Sequence, residues 1–156
     1  MESYEEILER IPAEVSLGYQ TILVFRYPAL QALQIGYSIT PTGESLNSGW
    51  PKEWIAIATE ELCGDPIFID ASTTGFPVYT ATHGQGHWEP ERIAVSLESF
   101  GRALKLIEGV SRGREHPVAL DRNPISPAEK ESVLAAIERD NPRVKQDFWE
   151  AIFQQD

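Results

Sequence analysis

Residues 50–100 read WPKEWIAIATEELCGDPIFIDASTTGFPVYTATHGQGHWEPERIAVSLESF, and their pattern decides the fold. Three short apolar runs, residues 54–59, 67–70 and 78–82, are separated by turn chemistry and followed by a helix start. Each run alternates at period two, which puts Ile55 and Ile57 on one face of a strand and Trp54, Ala56 and Ala58 on the other. Gly64-Asp65-Pro66 breaks the chain after the first run, and residues 72–77 break it after the second. Connections this short join antiparallel neighbours, because a parallel return needs a crossover of about a dozen residues or more. The stretch predicts a three-stranded meander on which the remainder must pack.

Upstream, Ser3 and Glu6 fit a capping box that opens a short helix carrying Ile7, Leu8 and Ile11 and ending before Pro12. Residues 21–25 (TILVF) are β-branched and apolar, as a strand requires, and residues 28–33 fit a helical turn. Leu33, Ile35, Tyr37 and Ile39 alternate as a further strand would, before a polar loop over residues 40–49. Downstream, Ser96 opens a helix with Leu97, Phe100, Leu104 and Ile107 on one stripe and Gly109 as its stop. A basic loop and an irregular stretch reach Pro124, and Ser126-Pro127-Ala128-Glu129 is a second capping box with proline where its missing N–H costs nothing. That helix ends near Asn141-Pro142, and Asn141 is placed to cap a last helix carrying Val144, Phe148 and Ile152. The expectation is an α+β fold in one domain, residues 1–156: an antiparallel sheet of four to five strands with a central meander, flanked by N-terminal and C-terminal helices.

A chain of 156 residues, 42% of them hydrophobic, can bury a sizeable core. No apolar run approaches the ~18 residues of a membrane span. The start MESYEEILER is acidic where a secretory signal is basic and then apolar, and Cys63 is alone, so a cytoplasmic protein without disulfides is expected. The formal net charge is −11, unevenly spread. Residues 44–91 hold eight acidic side chains against Lys52, whereas residues 92–128 hold six basic against four acidic. Such a field repels nucleic acid and anionic membrane and speeds encounter with a basic partner.

Few residues fit a catalytic pattern. His83 and His87, with Asp65, Asp70 and Glu89 near in sequence, are candidate ligands for a metal-dependent hydrolase, yet two intervening glycines make a flexible loop and no third ligand holds a fixed offset. Glu60, Glu61, Asp65 and Asp70 cluster at strand ends, where solvated turns are the commoner fate of carboxylates than acid–base work. Neither a nucleophile elbow around a serine nor a thiolate context for Cys63 is present, and no cofactor is implied. Among the tryptophans, Trp50 and Trp88 sit beside loops and are expected to be the more exposed.

The order W-P-x-x-W-I-x-I, G-D-P-I-F-I-D, P-V-Y-T-A-x-H-G and W-x-P-x-x-I-A-x-S-L-x-x-F resembles the SUKH superfamily, the family of the fungal SMI/KNR cell-wall regulators. The matching positions include Trp50, Trp54, Gly64, Asp65, Asp70, Pro77, Tyr79, His83, Trp88, Ser96 and Phe100, over about a third of the chain. The front departs from the pattern, because strand-like residues 21–25 follow the first helix almost at once. The resemblance implies an antiparallel sheet with flanking helices and no enzymatic activity. It further implies a binding role: many bacterial members look like immunity proteins of polymorphic toxin systems, which block a cognate toxin that is often a nuclease, and others are regulatory or scaffold modules. Combined with the charge, the expectation is a protein that binds a basic toxin domain. Glu44, Glu60, Glu61, Asp65 and Glu89 are the expected partner contacts, with Trp50 and Trp88 as anchors.

Overall fold

The computed structural model describes residues 2–46, 49–82 and 87–154. Among them six strands lie side by side in chain order, each antiparallel to the next: β1 (Glu14–Leu17), β2 (Gln20–Val24), β3 (Trp54–Glu60), β4 (Asp65–Asp70), β5 (Val78–Ala81) and β6 (Pro90–Ala94). The class is α+β, with more strands than the residue pattern predicts. Both unanticipated strands, β1 and β6, lie at the sheet's edges. β6 opens on Pro90, which an edge strand tolerates at its first residue, and its first three residues face solvent. β1 and β2 are joined through Gly18-Tyr19, with Gly18 at φ +60°, the glycine-first pattern of a type II′ hairpin.

Two irregularities in register shape the sheet. Ala56 pairs with Phe68 and Ala58 with Ile67, which leaves Ile57 as an extra, bulged residue. The bulge turns Ala58 onto the same face as Ile57, in contrast to the strict alternation that groups Ala58 with Trp54 and Ala56. A second extra residue, Ile93, lets β6 place both Ile93 and Ala94 in the core.

One sheet face carries Ile22, Val24, Ile57, Ile67, Ile69, Val78 and Ile93 and is covered by helices α1 (Tyr4–Leu8), α3 (Leu97–Ser111), α5 (Pro127–Asp140) and α6 (Asp147–Ile152). On α3 the stripe Leu97, Phe100, Leu104 and Ile107 is wholly buried, as its spacing requires. The helix runs through Gly109 to Ser111, because burial of that stripe outweighs one exposed glycine. Of the two predicted capping boxes, the one at Ser126 is present and is answered by Glu129, whereas at Ser3 the structure gives the hydroxyl accepting from Glu6 N; Ser96, predicted only as a helix start, forms a box with Ser99. Two expectations fail downstream. The stretch taken as irregular contains α4 (Pro117–Arg122), N-capped by His116, whose Nδ1 accepts from Ala119 N at 3.2 Å. Asn141 caps nothing that follows it: α6 starts after Gln146, and the Asn141 amide is spent inside the core.

The segment between β2 and β3 is not a strand. It forms α2 (Ala29–Leu33) and then turns, with Gly36 at φ +94°. Its place is set by Gln34, whose Oε1 accepts from Ala56 N at 2.9 Å and whose Nε2 donates to Ala56 O at 2.7 Å. β2 pairs only with the far half of β3, so the Ala56 peptide needs another partner, and a side-chain amide supplies what a strand would. Among the described residues no helix is long and apolar enough to cross a membrane.

Candidate functional site

The second face of the sheet carries rings. Trp50, Trp54, Phe68 and Tyr79, with Tyr37 and Trp88, form a contiguous aromatic cluster over the small side chains of Ala56 and Ala81. Trp50 is its centre, with ring centroids 4.7 Å from Phe68, 4.8 Å from Tyr37, 5.2 Å from Trp54 and 5.3 Å from Trp88. Its Nε1 donates to Trp54 O at 2.9 Å, and the residue is only 7% exposed. The expectation of an exposed Trp50 is therefore corrected: the two alanines leave room for the indole against the sheet, and its ring is used for packing. Trp88 is half-buried at the cluster's margin. Burial, and then the charge of Asp65, raise the Tyr37 hydroxyl pKa above its ordinary value.

The carboxylates expected to meet a partner divide into three groups. Glu44 is exposed in a loop closed by its own backbone bonds to Thr40. Glu60, Glu61 and Asp65 come together at the β3–β4 turn, where Glu60 is 7% exposed and its Oε1 accepts from the amides of Leu62 and Cys63. Glu60 thus holds the turn instead of facing outward. Glu61 is exposed and Asp65 half-buried. Glu89 is exposed and lies 2.9 Å from the His87 ring. Asp70 caps the next turn, accepting from Ser72 N, Ser72 Oγ and Thr73 Oγ1, and those bonds, the Ser72 hydroxyl first, hold its carboxyl below the usual range.

In chemical terms the arrangement offers little to a substrate. Among the described residues one group has metal-ligand proximity, Glu60, Cys63 and Asp65, whose candidate ligand atoms lie within 4.8 Å of one another. The Glu60 oxygens there are already taken by amides, and its charge pushes the Cys63 thiol pKa up, away from thiolate character. His87 belongs to no such group, and His83, the other histidine of the proposed hydrolase, lies outside the described residues. An open cleft of about 600 Å³ between β6 and the α5–α6 connection is lined by acids and bases in alternation, including Glu89, Glu91, Arg92, Arg143 and Lys145.

A feature the sequence reading overlooks lies at one end of the sheet. In a meander the β1–β2 and β3–β4 turns fall at the same end, and the Glu61 amide bonds Thr21 O at 2.9 Å to join them. Gly18 N donates to Arg114 O at 2.9 Å, and a Cβ on Gly18 would stand 2.6 Å from Leu120 Cδ2, so α4 is packed against the first turn. Arg114 fastens this corner, with its guanidinium on Asn123 O, Val110 O and Pro124 O. Tyr19 and Leu62 lie in the two turns at this end and Val118 on the helix packed against the first, at 56%, 61% and 55% exposure. The available signal was an apolar residue inside each turn or helix start: Gly18-Tyr19, Glu61-Leu62-Cys63, Pro117-Val118.

Comparison of the chain with family models, with curated proteins and with solved structures finds no match.

Proposed function

We propose that this chain is a non-catalytic binding protein of the SUKH type, an immunity protein that neutralises a basic toxin domain such as a nuclease. The observation that carries the reading is the charge of the meander, eight acids against one lysine over residues 44–91, on a chain of net −11. A cationic groove that holds nucleic acid is the natural complement of such a surface, and occupying it blocks the enzyme. The roles of the motif residues fit the same reading. Trp50, Trp54 and Trp88 build one cluster, Asp70 and Ser96 cap a turn and a helix, and Phe100 fills the core. Those side chains hold a platform together, and the partner is met by the acids around it.

The test is co-expression. A bacterial immunity gene is expected beside the gene of a large secreted toxin, so the C-terminal domain of that neighbour is expressed with and without this chain. Survival with the chain, and a complex that weakens between low and high salt, is the expected result. Unchanged toxicity together with no salt-sensitive complex refutes the reading. Stoichiometric metal in the purified protein, with hydrolysis that chelation abolishes, would favour a hydrolase instead.

A further inference from the structure

We propose that the end of the sheet carrying the β1–β2 and β3–β4 turns is the docking surface, and that it takes a basic protein surface with Tyr19, Leu62 and Val118 as apolar anchors. The proposal rests on the binding reading above and deepens it by moving the contact from the aromatic face to this end. Six large hydrophobic side chains are exposed among the described residues, and three of them lie on the two turns at this end of the sheet and on the helix packed against the first turn. Elsewhere on the surface the exposed apolar residues are Tyr27, Ile35 and Leu106.

Each anchor stands on a fixed support. Tyr19 follows a glycine pinned to Arg114 O and packed on Leu120. The amide of Leu62 is held by the buried Glu60 carboxylate. Val118 sits in the first turn of a helix capped by His116. Supports of this kind lower the ordering cost of binding, which favours use as a contact. Along the chain Leu62 is flanked by Glu61 and Asp65, and Val118 by Glu115 and Asp121 together with Arg112 and Arg122.

Charge selects the occupant. A second copy would set a net charge of −11 against the same, so an isologous dimer pairs like charges. Anionic membrane and nucleic acid are repelled for the same reason. A basic protein with apolar side chains between its lysines and arginines is matched in both respects.

Two measurements decide it. In the first, a synthetic lysine–leucine peptide is titrated into the isotopically labelled protein at low salt, and amide shifts are mapped. Shifts centred on Tyr19, Leu62 and Val118 support the surface; shifts centred on Glu44 or on Glu89 and Glu91 overturn it. In the second, Tyr19→Ser, Leu62→Ser and Val118→Ser are combined and tested for toxin protection against Tyr27→Ser, an equally exposed residue at the other end of the sheet. The triple variant is expected to bind the neighbouring toxin domain about tenfold or more weakly while melting like the wild type, and Tyr27→Ser to bind normally. Full protection by the triple variant overturns the surface while leaving the binding reading intact. Should the wild type give no protection, the binding reading fails and the peptide map alone decides the surface.

Discussion

Replacing Asn141 removes the polar knot that joins α3, α5 and the end of β6. Asn141 is fully buried. Its Oδ1 accepts from Val95 N and from Ser99 Oγ, both at 2.8 Å, and its Nδ2 donates to Ile137 O at 2.9 Å. Because the Asn141 amide bonds Glu138 O, the Ile137 carbonyl has no helical successor and depends on the side chain. Asn141→Ala therefore strands one buried donor and one buried acceptor and leaves a small cavity. At about 1–3 kcal/mol for each orphaned group, the loss is about 3–5 kcal/mol. For a chain of this size that lowers the melting temperature by about 6–20 °C. Urea and thermal unfolding followed by tryptophan fluorescence measure both.

A second substitution isolates the donor. Asn141→Asp keeps two acceptor oxygens but sets a buried carboxylate against the Ile137 carbonyl, so its pKa rises in the folded state. A carboxyl raised by folding costs stability once pH exceeds its unfolded value, about 4, and costs nothing below it. The gap between this variant and the wild type should therefore narrow as pH falls toward about 4. An Asn141→Ala variant within about 1 kcal/mol of wild type, or an Asn141→Asp gap that does not change with pH, refutes the reasoning.

Gly18→Ala meets both an unfavourable φ of +60° and Leu120 Cδ2 at 2.6 Å, so it should cost about 1–3 kcal/mol in urea unfolding, and Leu120→Ala should recover part of that in a double-mutant cycle. Trp50→Ala empties the centre of the aromatic cluster and should cost about 3–5 kcal/mol; a loss below about 1 kcal/mol would mean that the other rings collapse into its place. Asp70 has a carboxyl lowered by folding, so its contribution is present above its ordinary value and is lost as pH falls through the lowered one. Asp70→Asn should accordingly flatten the acid limb of the urea midpoint below about pH 4, and an unchanged limb counts against that account.

The strands that the sequence makes legible are those with two buried faces or a clean apolar run. β3, β4 and β5 are such strands, and so is β2 with its TILV core. β1 and β6 are hidden because an edge strand keeps much of its polar character, and the turn beside β1 is only the two residues Gly18-Tyr19. The alternation over residues 33–39 misleads for a different reason. Its side chains meet the aromatic face, Leu33 and Tyr37 among them, but Gly36 turns the backbone and the Gln34 side chain stands in for main-chain pairing. Bulges are equally silent in sequence: nothing in IAIA says which residue is extra, and the answer depends on Ile67 and Phe68 across the ladder.

Site residues divide along the same physical line. Acidic charge is visible in composition, but whether a carboxylate meets solvent or a backbone amide is a tertiary fact, and Glu60 and Glu61, adjacent in sequence, fall on opposite sides of it. Trp50 reads as exposed because a loop precedes it, while the space that receives it, over the small side chains of Ala56 and Ala81, is made by residues on β3 and β5. Tyr19, Leu62 and Val118 are conspicuous only once the turns and α4 are known to share a corner. A turn apolar residue with no packing partner has a cost in water that a solubility role for the acids leaves unexplained. Three of them on two turns and the helix packed against the first, each on a fixed support and on a chain of net −11, is the arrangement that a partner combining positive charge with apolar surface would complete.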